Sequence, residues 1–443
     1  MQKLSRLINS RDSNIKLNII LSFMLKFLGL GLSLFLVPLT IGYLNNEQYG
    51  IWMTLLSIIS WVSFSDIGLG NGLRNKLTES LSKNELEKSR EYISTAYAAM
   101  SVIIFVLLLI LLCVVPFLNW QNIFNTKSIS NTKLINLVIV VLVFFLGNFI
   151  LSLYNQLYYA KQQSSMTGIG QLLINIISIV NVLILRKISS GDILYLGFSY
   201  GISMILPSIF LTYLFFKKNT KLRPAFRYIK ISRFKDIIGL GVKFFIIQIA
   251  YVVYFGTNNI IIAQVCGPSE VTKYNIVFKL FSIVTIGHTL LVTPLWSAYT
   301  EAYVKGDINW VRKTLRKMSV LLIPIAIGLV FMTIFSSNIF EIWLGNNDVK
   351  IDSLLVITMA ISTFITVWSN VYVYFLNGVN EIDLQMYNSI IVGIINIPIC
   401  IYFAKNLNMG SSGVMIGQIF TSIPFCVIVT IKTYILINKR EGK

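Results

Sequence analysis

The sequence predicts an all-α integral membrane protein of about twelve transmembrane helices arranged as two six-helix lobes. Three observations carry that prediction. Hydrophobic residues make up 55% of the chain and charged residues only 12%, about half the charged share of an ordinary soluble domain. Apolar stretches long enough to cross a bilayer, about 20 residues each, recur along all 443 residues. No connecting segment exceeds roughly twenty residues, which leaves no room for a separate globular catalytic domain.

The spans fall at about 17–43, 49–70, 92–118, 133–157, 168–185 and 193–216 in the first half, and at about 237–264, 274–296, 318–340, 352–377, 387–403 and 412–437 in the second, with boundaries good to a few residues. The first follows Lys3, Arg6, Arg11 and Lys16. It is too long for the apolar core of a secretory signal and lacks an A-x-A-like site, so it reads as a retained helix.

A net charge of +19 raises the question of nucleic acid. With twelve spans and both termini on one side, that side holds 27 of the 37 Lys and Arg; the other side holds seven, namely Lys127, Lys133, Arg186, Lys187, Lys273, Lys350 and Lys405. The asymmetry predicts a multi-pass membrane protein with both termini in the cytoplasm. It accounts for the basic charge without a nucleic-acid partner. Cys113, Cys266, Cys400 and Cys426 lie in or beside apolar spans without C-x-x-C spacing, so they act as small hydrophobes and predict neither a metal site nor disulfides.

The chain also repeats itself. The stretch Lys76-Leu-Thr-Glu-Ser-Leu-Ser-Lys-Asn-Glu85 follows span 2, and Ala298-Tyr-Thr-Glu-Ala-Tyr-Val-Lys-Gly-Asp307 follows span 8. With one offset Thr78, Glu79, Lys83 and Arg90 match Thr300, Glu301, Lys305 and Arg312, and Lys26-Phe27 echoes Lys243-Phe244. Six spans per half leave the halves in the same orientation, as in transporters with parallel repeats. The expected organisation is an N-terminal lobe over 1–216, a basic cytoplasmic linker over 217–236 and a C-terminal lobe over 237–443. The linker carries eight Lys and Arg interleaved with Phe226, Tyr228, Ile229, Ile231 and Phe234. Such a segment could lie on an anionic leaflet, but an ordinary positive-inside loop explains its charges equally well, and the sequence assigns it no lipid role.

Seven of the nine prolines lie in or at the ends of spans: Pro38, Pro116, Pro207, Pro294, Pro324, Pro398 and Pro424. Kinked helices suit alternating access and also occur in static bundles.

Three cations remain inside the spans: Lys26, Lys243 and Lys279. Lysine at the centre of a membrane helix costs roughly 2.5–3.5 kcal/mol, so each needs a hydrated cavity, an anion or a route to the interface. Lys279 is near enough to the outer end of its span to snorkel. Lys26 and Lys243 lie about 10–15 Å deep at 1.5 Å per residue. Ser33 and Thr40 share the helical face of Lys26, and Tyr254 and Asn258 share that of Lys243. A substrate lumen lined by Lys26, Lys243, Lys279, Tyr254 and Asn258 is therefore expected. His288, opposite Lys279 in phase, reads either as a proton-coupling group or, more simply, as a packed and hydrogen-bonded residue. No acidic residue lies in mid-span, Asp66 coming nearest. No phosphate-cradling G-x-x-x-x-G-K-[ST] occurs, and Gly68, Gly70 and Gly72 read as a helix exit. These absences point to a transporter without cofactors or metals, not an enzyme.

Three motifs carry a resemblance. Ser65-Asp-Ile-Gly-Leu-Gly-Asn-Gly-Leu-Arg-Asn75, Asn259-Ile-Ile-Ile-Ala-Gln-Val-Cys-Gly-Pro-Ser-Glu-Val-Thr-Lys-Tyr-Asn275 and Thr293-Pro-Leu-Trp-Ser-Ala-Tyr-Thr-Glu-Ala-Tyr-Val-Lys-Gly-Asp307 resemble those of bacterial polysaccharide exporters, the Wzx-type O-antigen flippases of the multidrug/oligosaccharidyl-lipid/polysaccharide superfamily. The resemblance extends over nearly the whole chain. It implies a MATE-like fold with a V-shaped central cavity. It also implies export, for polysaccharide or lipopolysaccharide biosynthesis, of undecaprenyl-pyrophosphate-linked oligosaccharide units from the cytoplasmic to the periplasmic leaflet. Coupling to a proton or sodium gradient, contact with membrane lipids and work beside other polysaccharide assembly proteins go with it. Asp66, Arg74 and His288 are then candidates for gating or coupling. In one departure, Asn258 stands before Asn259 where family members often have Asp. The alternatives are a multidrug exporter of the same fold, which calls for mid-span carboxylates, a peptidoglycan-precursor flippase of the superfamily, which usually has fourteen helices, and a polysaccharide polymerase or ligase, which calls for a large periplasmic loop.

Overall fold

The computed structural model describes residues 24–441 apart from 26, 63–67, 162, 190, 305, 346–348, 380 and 382; at 239–255 and at several single helix positions it describes the backbone alone. Among the described residues there is no strand. The helices are α1 (Phe27–Tyr43), α2 (Asn46–Val62), α3 (Leu69–Ser82), α4 (Leu86–Val114), α5 (Trp120–Phe124), α6 (Asn131–Leu151), α7 (Tyr154–Ala160), α8 (Ser164–Ile188) and α9 (Ile193–Lys218). They continue with α10 (Ile231–Cys266), α11 (Pro268–Val304), α12 (Ile308–Ile334), α13 (Ser336–Leu344), α14 (Ser353–Gly378), α15 (Asp383–Ile401) and α16 (Gly410–Glu441). Eight are long and apolar enough to cross a membrane, and Phe27–Tyr43 and Ile390–Asn406 are shorter apolar helices. With α2 and α10 these make twelve of the helices among the described residues, six up to α9 and six from α10 onward.

Caps place several of these helices. Asp192, Asp307 and Asp352 each accept a hydrogen bond from a backbone N–H in the first turn of α9, α12 and α14, from Leu194, Trp310 and Leu354. A short polar side chain there satisfies donors that the helix cannot. The outward faces are apolar. Val102, Phe105, Val106, Leu109 and Ile110 of α4 are exposed, as are Val320, Ile323, Ile327, Val330 and Phe331 of α12. Both sets recur at helical spacing, and continuous apolar stripes on the outside of a fold belong in lipid.

The chain divides into two compact units: Met1–Asn45 with Ile58–Ile249, and Asn46–Ser57 with Ala250–Lys443. The first has a core of Leu69, Leu73 and Leu77 from α3, Tyr92, Ile93 and Ala96 from α4, Tyr154 and Tyr158 from α7, and Leu211 and Phe215 from α9. In the second, Tyr299 of α11, Val311 and Leu315 of α12, Val371 and Phe375 of α14 and Val429 of α16 form the core.

The repeat is written in the backbone. Glu85 N donates to Ser80 O, Leu86 N to Asn84 O and Ser89 N to Glu85 O. At the matching offset (84 + 222 = 306), Asp307 N donates to Ala302 O, Ile308 N to Gly306 O and Val311 N to Asp307 O. Asn84 and Gly306 both take positive φ, 58° and 76°. Arg90 donates to Arg223 O just after α9, and its match Arg312 donates to Asn438 near the end of α16. Each third span is thus tied to the end of the sixth span of its own half.

Several boundaries differ from expectation: α10 starts at Ile231, inside the expected linker, α11 runs on to Val304 and α12 starts at Ile308; two further differences mark breaks. Span 2 was expected to reach residue 70, but a separate helix, α3, begins at Leu69. Gly68, at φ 76° and ψ 10°, is the N-cap of that helix, and a Cβ at Gly72 would lie 2.2 Å from Ile237 O of α10. The glycines make a left-handed turn and a close helix crossing as well as a helix exit. Span 9, expected to run to 340, breaks at Phe335 into α12 and α13, where Ser336, Ser337 and Asn338 interrupt the apolar run.

Candidate functional site

The expected lumen residues are placed unevenly. Lys26 and Asp66, and the side chains of Lys243 and Tyr254, lie outside the described residues. Lys279 of α11 is half-buried. Arg74 is exposed on α3, its guanidinium 4.8 Å from the centroid of the Tyr159 ring. His288 is buried at 3% exposure, on the α11 stripe that also buries Tyr274, Phe281, Val292 and Tyr299; neither ring nitrogen meets a hydrogen-bond partner among the described residues.

Asn258 is fully buried inside the second unit. Its Nδ2 donates to Tyr274 Oη at 3.0 Å and to Gln418 Oε1 at 3.3 Å. One turn further along α16, Thr421 Oγ1 donates to Asn396 Oδ1 of α15 at 3.0 Å, and Cys400 Sγ lies 3.5 Å from the same oxygen. Four spans therefore contribute polar groups to a closed interior that lipid and bulk water do not reach. The α15–α16 crossing is close because Gly413 and Gly417 face it. A Cβ at Gly413 would come within about 2.8 Å of the backbone at Phe403–Ala404, in the turn just after α15, and one at Gly417 equally near Cys400 of α15, the small-x-x-x-small packing common between membrane helices.

A second ladder runs beside the first. Asn275 Nδ2 donates to Asn259 Oδ1 at 2.9 Å, and Asn259 Nδ2 donates to Ser57 Oγ of α2 at 2.7 Å. The α10–α11 hairpin that sets this register turns at Gly267, φ 90°, with Pro268 at the first helical position, where its missing N–H costs nothing. Glu270, paired with Lys273, accepts from Ser411 Oγ at the start of α16 at 3.0 Å.

Sequence reasoning singled out Asn258 and missed Tyr274, Asn275, Asn396, Gln418 and Thr421. A signal existed: Asn259 and Asn275 lie eight residues either side of Gly267 (267 − 259 = 275 − 267), so a tight antiparallel hairpin must bring them level. The chemistry of this interior is that of amides, hydroxyls and a thiol. It holds no carboxylate among the described residues, and no group of three or more His, Cys, Asp or Glu could hold a metal there. Nothing in it pairs a nucleophile with a base.

The apolar helices long enough to cross a membrane define a multi-pass membrane protein. The family model for polysaccharide biosynthesis proteins matches residues 15–299, and the chain belongs to that family. A second model, MatE, matches residues 244–402. The chain is 23% identical over 412 residues to a Salmonella typhimurium protein named "Putative O-antigen transporter", covering 90% of this chain and 91% of that one. It is 20% identical to a Yersinia pseudotuberculosis protein named "Putative O-antigen export protein", covering 78% and 79%. Among solved structures, an inward-facing multidrug resistance MATE family transporter of the MOP superfamily superposes with TM-score 0.80 at 13% identity, covering 94% of this chain and 96% of that one. A MOP superfamily transporter from Pyrococcus furiosus superposes at 0.65 with 13% identity, covering 96% and 95%. The fold is that of MATE transporters: two lobes of six helices.

Proposed function

We propose that this protein is a lipid-linked oligosaccharide flippase. It moves undecaprenyl-pyrophosphate-linked polysaccharide repeat units from the cytoplasmic to the periplasmic leaflet of the inner membrane by alternating access. The observation that carries this reading is the similarity, over nine-tenths of the chain, to a protein named as an O-antigen transporter. The residual intramembrane lysines supply the matching chemistry, since a pyrophosphate leaving water needs fixed positive charge. Lys26 and Lys243 hold matching places in the two halves of the sequence, and Lys279 adds a third cation. Coupling to a proton or sodium gradient belongs to the same proposal; neutral side-chain oxygens such as those around Asn258 suit a sodium ion better than a proton. A multidrug exporter for organic cations would need mid-span carboxylates, and this sequence places none there.

In a strain carrying only the variant gene, Lys26→Ala or Lys243→Ala should impair surface polysaccharide without lowering protein in the membrane. Each charge-assisted contact is worth about 1.5–3 kcal/mol, a tenfold to hundredfold change in affinity. Lys→Arg should be milder, since the charge survives while its geometry changes. Mass spectrometry of lipid-linked units trapped on the inner face of a conditional knockout identifies the substrate. Full export by the double Ala variant, or no trapped lipid-linked unit, would overturn the reading.

A further inference from the structure

The segment between α9 and α10 has a polar side and an apolar side, and the structure shows what the polar side does. Ala225 N donates to Ser94 Oγ at 3.1 Å and Lys230 N to Thr95 Oγ1 at 3.0 Å. Arg90 Nε donates to Arg223 O at 2.6 Å. Glu91 of α4, its side chain only 5% exposed, is paired with both Lys230 and Arg233, and Tyr92 Oη donates to Asp236 at 3.1 Å. Leu222 is buried in the core of the same unit. The segment is clamped to the start of α4 by backbone and charge alike.

Its apolar side is left out. Phe226 is 92% exposed and Ile231 is 79% exposed. Phe226 sits on a single helical turn, Phe226–Tyr228, backed by the Arg90 and Arg227 guanidiniums stacked on Tyr228. Around the pair, Lys217, Lys218, Lys221, Arg227 and Lys235 are all exposed. The segment 217–236 holds eight basic residues and one acidic residue, Asp236. A positive-inside loop explains such charges. It gives no reason to hold a phenylalanine and an isoleucine rigidly outward.

Position supplies the reason. The segment begins where α9 leaves the apolar layer, at Lys218, and Ile231 is the first residue of α10, which re-enters it. Phe226 therefore hangs within a few residues of two membrane helices, at the depth where aromatic side chains settle at the bilayer interface. Apolar insertion and basic attraction are each weak alone and effective together. Because α4 already fixes the backbone, little ordering remains to be done on contact.

We propose that residues 217–235 form an interfacial hook, which seats Phe226 and Ile231 at the boundary of head groups and acyl chains and gathers anionic phospholipids around its lysines and Arg227. The proposal is independent of what the protein transports.

The test uses full-length protein carrying the photo-crosslinker p-benzoylphenylalanine in place of Phe226, reconstituted into vesicles of equal parts phosphatidylcholine and phosphatidylglycerol. Irradiation followed by mass spectrometry should show lipid adducts in which phosphatidylglycerol exceeds phosphatidylcholine. Each basic residue near a charged surface is worth about 1 kcal/mol, so Lys221→Gln and Arg227→Gln should each cut that excess by about fivefold, until parity is reached. These positions are exposed and outside both cores, so elution as a single species on gel filtration should be unchanged. Absence of lipid adducts, equal shares of the two lipids in the parent protein, or an excess that ignores both substitutions would overturn the hook. So would cross-linking in native membranes to another protein in place of lipid.

Discussion

The crossing of α15 and α16 allows a prediction in which two chemically identical substitutions have opposite signs. A Cβ added at Gly417 would lie 2.8 Å from Cys400 Cα, 2.9 Å from its N and 3.0 Å from its Sγ. Two of these atoms are backbone and cannot rotate away, so the helices must part by about 0.6 Å to reach the 3.4 Å of an ordinary contact. Overpacking of this kind costs about 1–3 kcal/mol. The parting also stretches the buried bond from Thr421 Oγ1 to Asn396 Oδ1, one turn away, which adds about 0.5–1 kcal/mol. Against the gain of up to about 1 kcal/mol in helix propensity that any Gly→Ala change brings, Gly417→Ala should therefore destabilise by about 0.5–3 kcal/mol. Gly328 in α12 meets nothing within 4 Å, so Gly328→Ala gains helix propensity and should stabilise by up to about 1 kcal/mol. Thermal unfolding in detergent, followed by tryptophan fluorescence, reads both. At about 2–4 °C per kcal/mol for a unit of roughly 200 residues, Gly417→Ala should melt about 1–12 °C lower and Gly328→Ala slightly higher. If both variants shift in the same direction by similar amounts, close packing at this crossing is not what distinguishes the two glycines.

Three further outcomes are expected. Reporter fusions at residue 125 and residue 225 should report periplasm and cytoplasm respectively, from the 27 to 7 division of basic residues; the reverse, or two readings on one side, refutes the topology. Glu91→Gln removes the charge that holds Lys230 and Arg233 and should loosen the segment by about 2–4 kcal/mol, seen as faster tryptic cleavage between 221 and 235 while the rest of the chain resists; unchanged cleavage would show that the backbone bonds to α4 suffice. Gly306→Asn should be nearly silent in thermal unfolding, because Asn84 takes the same left-handed backbone in the other half. Gly306→Val should cost about 1–2 kcal/mol, and equal tolerance of the two would deny that the backbone, rather than space, selects the residue there.

Much of the architecture was legible because it rests on periodicity and charge, which are local. Six spans before the linker and six after it follow from apolar run length alone. The offset that matches Thr78 to Thr300 is the one at which the backbone turns repeat. What escaped reading depends on which helix lies next to which. The phase of α10 groups Asn258 with Lys243, but phase cannot say whether a polar face looks into a lumen or into a neighbouring helix; Asn258 is fully buried against Tyr274 and Gln418. Gly413 and Gly417 sit in an apolar run whose hydropathy registers only that it crosses the membrane. The break at Phe335 is marked by Ser336, Ser337 and Asn338, a weaker signal than the apolar residues on either side. Span length therefore overruled it.

The repeated turn has a consequence for how the two halves tolerate change. In the first half, Ser80 and Ser89 are both buried and share a hydrogen bond of 2.7 Å between hydroxyls. At the same offset the second half has Ala302 and Val311, also buried, around the same backbone bonds. The chain thus contains both corners of a substitution cycle, one polar and one apolar, on a single scaffold. Converting one corner to the other in a single step leaves a buried hydroxyl facing a methyl group, at about 1–3 kcal/mol, whereas changing both together restores a matched pair. A library that varied these two positions independently would find Ser with Ser and Ala with Val, and few of the mixtures between them.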